Sequence, residues 1–356
     1  MHFAFTDQQL EFRDAVRQVL AKECTTDAVR AAYDAPAART PRWDTLAELG
    51  VCGLTVPEAR GGFGLGLVDL VPLVEEAGRV ALPEPLGTTT GIAAPLLVDL
   101  VAAGADDRID DRTGAWLAGV AAGEVTAAVA DPERPAAPVA GADGADLLLL
   151  VADGPDGRVL HGLDRAVLEG GAGVTPVSSL DPTRRLGTPE WQPTPDTLLL
   201  AGPGLDAVLT RTSDRAAVVT GAELLGLADA MVTLTAEYAK DRQQFGKPIG
   251  SFQAVKHLLA GAQVLLEFAR PVVYGAAWAL DEASPDASRA ASVAKAYAAD
   301  AALEAARVSL QVHGAIGYTW ECDLHLFLKR TWALAEAWGS AGDHRARLLG
   351  LLLAGR

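Results

Sequence analysis

The chain reads as a mostly helical α+β protein. An N-terminal helical domain covers residues 1–114, a small middle β-domain 115–204, and a C-terminal four-helix bundle 205–356. Three observations predict this. Toward both ends, apolar residues recur at alternating steps of three and four, which puts them on one side of an α-helix. Between about Gly114 and Gly204 that spacing gives way to short apolar runs broken by Gly-Pro, Asp-Gly and Pro-rich stretches, the pattern of strands and turns. The last helical faces are rich in alanine, which permits the close helix approach of a packed bundle.

In order, Thr6 or Asp7 can cap a first helix with Leu10, Phe12, Val16 and Leu20 on its apolar side. Trp43, Leu46 and Leu49 mark a short helix closed by Gly50. Val56-Pro57 leads into Gly61-Gly62-Phe63-Gly64-Leu65-Gly66, a loop rich enough in glycine to suggest a phosphate cradle. No strand precedes it and no Lys-Ser/Thr follows, so a tight crossing between helices is the better reading. Helical spacing resumes over Val68–Arg79 and Gly91–Ala103. Val125–Ala130, Asp146–Ala152, Val159–Leu163, Val174–Leu180 and Thr197–Ala201 are the strand candidates. Helical faces return with Leu224, Leu227, Met231, Leu234 and Tyr238, then Phe252, Val255, Leu259, Ala262 and Leu266. Ala290 to Val312, ended at Gly314, and Leu324 to Trp338 mark two more, and a short final helix follows Asp343.

Composition narrows the function classes. A formal charge of −16 over 356 residues and a pI near 4.8 argue against nucleic acid or an anionic membrane as partner. Cys24, Cys52 and Cys322 are isolated, which suggests neither a disulfide framework nor a zinc site and fits a reducing cytoplasm. No basic-plus-apolar leader precedes Phe3, and no uncharged run of about 18 apolar residues occurs. The expected location is the cytoplasm.

Against this acidic background, the stretch from Tyr238 to Ala260, YAKDRQQFGKPIGSFQAVKHLLA, is locally basic through Lys240, Arg242, Lys247 and Lys256, and Phe245 sits within its turn. Such a turn suits an anion that also has a flat ring, such as a dinucleotide. The plain alternative is a solvated turn between helices.

This stretch resembles the signature of the acyl-CoA dehydrogenase family, in which Arg-x-x-Phe-Gly is followed by Pro-Ile and Phe-Gln. A second family signature is QVHGAIGYTWECDLHLFLKR, Gln311 to Arg330. The start of the chain is similar too, in FTDQQLEFRDAVRQVLA, LAELGVCGLTVPEARGGFGLG and VEEAGRVALPEP. The middle is weaker. The family's Thr-Glu-Pro…Gly-Ser-Asp segment would fall at Val129–Gly141, where little of it survives, and no Trp-Ile-Thr follows. Only LDPTRRLG, Leu180–Gly187, is family-like there.

The resemblance implies an acyl-CoA dehydrogenase-like fold, FAD as cofactor and α,β-dehydrogenation of an acyl-CoA thioester. It implies that the arginine turn and the Gln-x-x-Gly-Gly segment reach into a neighbouring subunit's flavin site. On that basis Arg242 pairs with the pyrophosphate, Phe245 packs on the cofactor, and Gln244 is a further polar contact. Gln311 bonds the adenosine side and Gly314 allows close approach, with Ala315 replacing the second glycine. A surface ion pair of Arg242 with Glu237 or Asp241 is the alternative for that residue.

The reaction also needs a carboxylate to take the α-proton. The family places it in the loop after the fourth bundle helix or at the start of the helix leading into the arginine turn. Ungapped counting puts Trp338 and Ala216 there, and neither accepts a proton. Asp214 and Glu336 are acidic neighbours two residues away. Two residues on a helix is a rotation of about 200°, so Asp214 would face away. Both read better as surface carboxylates, and His313 and His344 as packed or capping residues.

The chain is therefore expected to be the base-lacking subunit of a two-plus-two heterotetramer, completing the FAD site of a catalytic acyl-CoA dehydrogenase partner. Two alternatives are a self-sufficient homotetramer with an unusual base, and a non-redox acyl-CoA-binding or assembly subunit.

Overall fold

The computed structural model describes residues 4–36, 39–103, 107–155 and 157–354. The first helices are α1 (Asp7–Glu23), α2 (Thr26–Asp34), α3 (Pro41–Glu48), α4 (Leu67–Arg79), α5 (Ala94–Ala102) and α6 (Asp107–Ala121), with a π-helical turn, Gly87–Ala93, before α5. Next come β1 (Ala127–Val129), β2 (Leu147–Gly154), β3 (Gly157–Asp164), α7 (Arg165–Glu169), β4 (Gly173–Pro176), β5 (Gly187–Glu190) and β6 (Leu198–Ala201). The remainder is α8 (Leu205–Asp241), β7 (Gln243–Gln244), β8 (Lys247–Pro248), α9 (Gln253–Asp281), α10 (Ala287–His313), α11 (Leu324–Glu336) and α12 (Ala341–Ala354).

Several local expectations resolve here. Thr6, not Asp7, caps α1. Its hydroxyl accepts from Gln9 N–H while the Gln9 side chain accepts from Thr6 N–H, a capping box. Helix α6 carries on past Gly114 to Ala121, and β5 lies where no strand was expected. Helix α11 stops at Glu336, so Trp338 is in a loop and not on the helix face its spacing suggested. The final helix starts at Ala341, and Asp343 sits in its first turn, its carboxylate accepting from Ser340 N–H at 2.9 Å.

The residues divide into two compact units. One comprises Ala31–Leu70 and Pro83–Val219. Its four-stranded sheet has the order β1-β2-β3-β6, with β1 parallel to β2 and the other pairs antiparallel, while β4 and β5 form a separate two-stranded ribbon. Leu147, Leu148, Leu149 and Leu150 of β2 are buried in succession, so this strand is covered on both faces.

The stretch retained from the family in this unit has a structural use. Asp181 caps the turn Pro182–Arg184 by accepting from Thr183, Gly187 bridges to Val139, and buried Arg185 donates to the Asp143 carbonyl at 2.8 Å.

The glycine-rich loop is a chain crossing, though not one between helices. Its amides are spent internally: Gly62 on Pro57, Phe63 on Gly53, Gly64 on Val56 and Leu65 on Leu54, at 2.8–3.2 Å. Those donors therefore do not face a phosphate. A Cβ at Gly62 would lie 2.2 Å from the Val56 carbonyl, so only glycine fits the crossing.

The other unit comprises Met1–Arg30, Val71–Leu82 and Thr220–Arg356. Within it α10 packs on α9, α11 and α12. The facing residues are mostly alanine, among them Ala291, Ala294, Ala298, Ala302 and Ala305, all buried. At Gly226 a Cβ would lie 1.9 Å from the Glu75 carbonyl, which allows α8 and α4 to touch through backbone. Glu75, Glu76 and Asp229 are matched by Arg17, Arg79 and Arg270 in one ionic network. Helix α8 is buried beyond the single apolar face its spacing marks. It is long and apolar enough to span a bilayer, and 78% of its most apolar stretch is buried within the protein, as a core helix requires.

Candidate functional site

The arginine turn is a two-residue hairpin. Arg242 N–H donates to Tyr238, prolonging α8 by one bond, and Ile249 N–H donates back to the Arg242 carbonyl at 2.8 Å. β7 and β8 pair through Gln244 and Lys247, leaving Phe245 and Gly246 as the loop. Their φ values are +54° and +76°. Positive φ at both positions defines the type I′ turn, whose twist matches the flanking strands and which normally carries Asn-Gly or Gly-Gly. A phenylalanine in the left-handed region is strained. This one is also 92% exposed, with the Phe252 ring edge-on to it at 6.1 Å between centroids.

Around this tip the charges are unspent. Arg242 is exposed and no carboxylate pairs with it among the described residues; Glu237 is taken by Lys240 at 2.6 Å. The surface ion pair weighed for Arg242 is thus not formed. Lys247 places its ammonium 4.4 Å from the centroid of the Phe252 ring. Gln244 is folded back, its amide donating to the Gln243 carbonyl at 2.8 Å.

The second signature lies at the end of α10. Gln311 is exposed on the last turn, and Gly314 ends the helix at φ +65°, ψ −141°, a conformation only glycine adopts readily. No atom lies within 4 Å of where a Cβ on Gly314 would sit, so its open side is accessible, and Ala315 beside it is exposed.

The structure joins the two signatures through a contact that sequence reasoning missed. The Tyr238 ring stacks on His313 at 4.3 Å and 16°. One partner is a helical turn before Arg242 and the other immediately precedes Gly314. His313 is buried, its Nδ1 lies 2.8 Å from the Ser309 carbonyl, and burial pushes its pKa below the usual histidine value. That is a packing residue. Beyond it Ile316, Tyr318 and Trp320 are exposed by 45%, 77% and 54%. Trp320 stacks on His325 and has the Lys329 ammonium 4.8 Å from its centroid.

At neither expected base position is there an acid. Ala216 is fully buried in α8. Asp214, read as a surface carboxylate, is instead 2% exposed and engaged by its neighbours, so that reading is corrected. Glu336 is exposed as the last residue of α11.

Trp338 has φ +57° and Gly339 φ +93°, and the loop they form is clamped from three sides. His344 Nε2 bonds the Trp338 carbonyl at 2.8 Å. Lys295, wholly buried, donates to the carbonyls of Ala335 and Gly339 at 2.9 Å each. A cation is the natural cap for a helix C-terminus, where carbonyls are orphaned and the dipole is negative. Sequence did carry a trace of Lys295: it is the one charge on the alanine face through Ala291, Ala298 and Ala302. No cluster of metal-ligating side chains occurs among the described residues, and the three cysteines are free.

Comparison with known proteins agrees with this architecture. Residues 6–124 match the acyl-CoA dehydrogenase N-terminal domain and residues 202–348 the acyl-CoA dehydrogenase C-terminal domain. The chain is 32% identical over 340 residues to acyl-CoA dehydrogenase IpdE2 of Mycolicibacterium smegmatis, covering 94% of this chain and 96% of that protein. It is 33% identical over 322 residues to acyl-CoA dehydrogenase FadE34 of Mycobacterium tuberculosis, covering 88% of this chain and 42% of that protein. Among solved structures, a variant of the Tcur3481-Tcur3483 steroid ACAD superimposes with TM-score 0.81 at 28% identity over 98% of each chain. The ChsE4-ChsE5 complex from Mycobacterium tuberculosis gives TM-score 0.85 at 22% identity over 100% of each, a likeness of fold. Family members bind FAD. With both of its domain models matched and a relative of this identity aligned over nearly its whole length, the chain belongs to the acyl-CoA dehydrogenase family.

Proposed function

We propose that this chain is the non-base-carrying subunit of a flavin-dependent acyl-CoA dehydrogenase and completes the FAD site of a catalytic partner. One observation carries the reading: a strained, fully presented Phe245 beside an unpaired Arg242, in a chain with Trp338 and Ala216 where the family's carboxylate belongs. Strain of this kind clusters at ligand clamps and active sites.

The residues present fit a dinucleotide. The Arg242 guanidinium is always charged and can donate two parallel hydrogen bonds to pyrophosphate oxygens. Phe245 offers a ring face, Gln311 an amide, and the open side of Gly314 lets the ligand reach backbone, with Ala315 bordering it. Gln244 must first release its bond to Gln243. FAD, when bound, supplies the acceptor for the substrate's β-hydride. This chain's part is to hold and orient, and the carboxylate that takes the α-proton comes from the partner. Exposed Ile316, Tyr318 and Trp320 continue the same surface and suit coverage by that partner. The paired names of the Tcur3481-Tcur3483 and ChsE4-ChsE5 structures support a heteromeric assembly, and the steroid ACAD supports a bulky acyl-CoA substrate.

The test is co-expression with an acyl-CoA dehydrogenase chain that carries the glutamate. The isolated chain is expected to retain little FAD and turn nothing over. The complex is expected to be yellow and active, and Arg242→Ala to strip its flavin without dissociating it. A fully active homomer would overturn the assignment, and a colourless complex supplied with FAD would make the role non-redox.

A further inference from the structure

Positions 238 and 240 of α8 differ by about 200°, so the side of the helix away from the Tyr238–His313 stack carries its own feature. There α8, the base of the hairpin and the first turns of α9 enclose a slot of about 440 Å³. Its walls are apolar, with Ala236, Ala239 and Leu259 among them, and Lys240 and Lys256 also line it. The floor is narrow because Gly250 passes so near α8 that a Cβ would lie 2.9 Å from the Ala239 carbonyl.

The volume lies in the range of small-ligand sites, about 300–1,000 Å³. Both cations are available. Lys256 has no ion-pair partner among the described residues, and Lys240 meets only Glu237, in a pair whose side chains are 66% and 63% exposed. A pair so exposed is worth little and yields readily to a competing anion. Two ammonium groups left available in a chain of net charge −16 mark a place where negative charge is wanted.

The lining also says what kind of anion fits. Ser251 is the only hydroxyl in it, and that hydroxyl already donates to the Pro248 carbonyl at 2.7 Å. The lining holds no Asn, Gln, Asp, Glu or Arg, so it has little with which to read the hydrogen-bonding edge of a base or a sugar. We infer that the slot binds a hydrophobic carboxylate, an alkyl or fused-ring acid whose body lies along the apolar walls and whose carboxylate is held by Lys240 and Lys256. The site is separate from the residues proposed to contact FAD and does not depend on that proposal.

Calorimetric titration of the full chain tests this, with decanoate and, below its micellar concentration, deoxycholate as probes, and decanol and ADP as controls. Saturable binding of at least one acid is expected, with decanol silent and any ADP binding removed by Arg242→Ala rather than by the lysine reversals. The exposed double variant Lys240→Glu, Lys256→Glu is expected to weaken it by about tenfold or more. Ala236→Phe, which fills the slot, is expected to abolish it, and Arg242→Ala to leave it unchanged. Hydrogen exchange should show the bound acid protecting residues 248–256. Decanol binding as well as decanoate would reduce the slot to a greasy surface, and ADP binding there would make it a nucleotide site. Indifference to the lysine reversals would overturn the proposal whether or not Ala236→Phe folds.

Discussion

Replacing Phe245 by asparagine is expected to stabilise the isolated chain and at the same time to empty the cofactor site of the complex. The left-handed conformation at φ +54° costs a residue with a Cβ roughly 1–2 kcal/mol. Asparagine tolerates it best after glycine, and the change creates Asn-Gly, the favoured type I′ pair. What is lost is small. The ring is 92% exposed, so almost no burial is forfeited. Its edge contact with Phe252 at 6.1 Å is worth at most about 0.5 kcal/mol at so wet a site. The balance favours the variant by about 0.5–1 kcal/mol. Glycine at the same position would relieve the same strain but give part of it back as unfolded-chain entropy. Urea unfolding of the chain alone should show a higher midpoint at unchanged slope. Flavin absorbance of the purified complex should fall. Opposite signs in the two assays are what the reasoning requires. An earlier midpoint would mean that the hairpin is not strained, and full flavin retention would mean that the strain has no bearing on the cofactor.

Three further outcomes are expected. Lys295→Met keeps the buried stem but orphans the carbonyls of Ala335 and Gly339; it should cost at least about 2 kcal/mol in urea unfolding and raise hydrogen exchange across 337–340. Gly226→Ala drives a methyl to within 1.9 Å of the Glu75 carbonyl, and because backbone cannot yield there the melting temperature should drop by several degrees. Burial, the leading cause in each case, lowers the pKa of His161, His313, His325 and His344 from the ordinary 6.5. On acidification the unfolded chain therefore takes up protons the native chain refuses. Stability should be full above the ordinary histidine value of about 6.5 and decline as pH falls below it, which urea midpoints measured on either side of that pH would check; a midpoint that rises on acidification would contradict it.

Local chemistry carried most of the fold. The step of three and four placed α1, α9, α10 and most of α11, because each buries one continuous stripe, and it marked the later turns of α8. β5 escaped because Gly187-Thr188-Pro189-Glu190 has no apolar alternation and carries a glycine and a proline, both poor strand residues, and it is a strand through its pairing with β4. Trp338 escaped for a different reason. Leu334 and Trp338 continue the helical spacing, yet the helix ends at Glu336 because Lys295, from α10, draws two carbonyls out of register with further turns. Asp214 was judged by its rotation from Ala216, but α8 is buried nearly all round, so turning away from one neighbour did not bring it to water. The signatures themselves were readable, but their meeting through Tyr238 and His313 was not, since stacking between distant residues leaves no periodic trace.

The two loops that matter here are held in opposite ways. Around 337–339 the carbonyls of Ala335, Trp338 and Gly339 each have a side-chain partner, two of them a lysine with no exposed surface, so the backbone keeps a fixed shape around a residue that cannot accept a proton. At 243–248 a two-residue ladder and the Ile249–Arg242 bond close the hairpin and leave its aromatic tip strained and in water. A rigid loop without a carboxylate and a strained aromatic tip turned to solvent are hard to reconcile with one self-contained active site. They are what would be expected if the chain's chemistry were moved to a neighbour while its grip on the neighbour's nucleotide was kept. Selection on such a chain would act on the tip through the assembled complex, and on the loop through folding alone. It follows that the tip's cost should disappear only when the partner is present, whereas the clamp should matter equally in the isolated chain and in the complex.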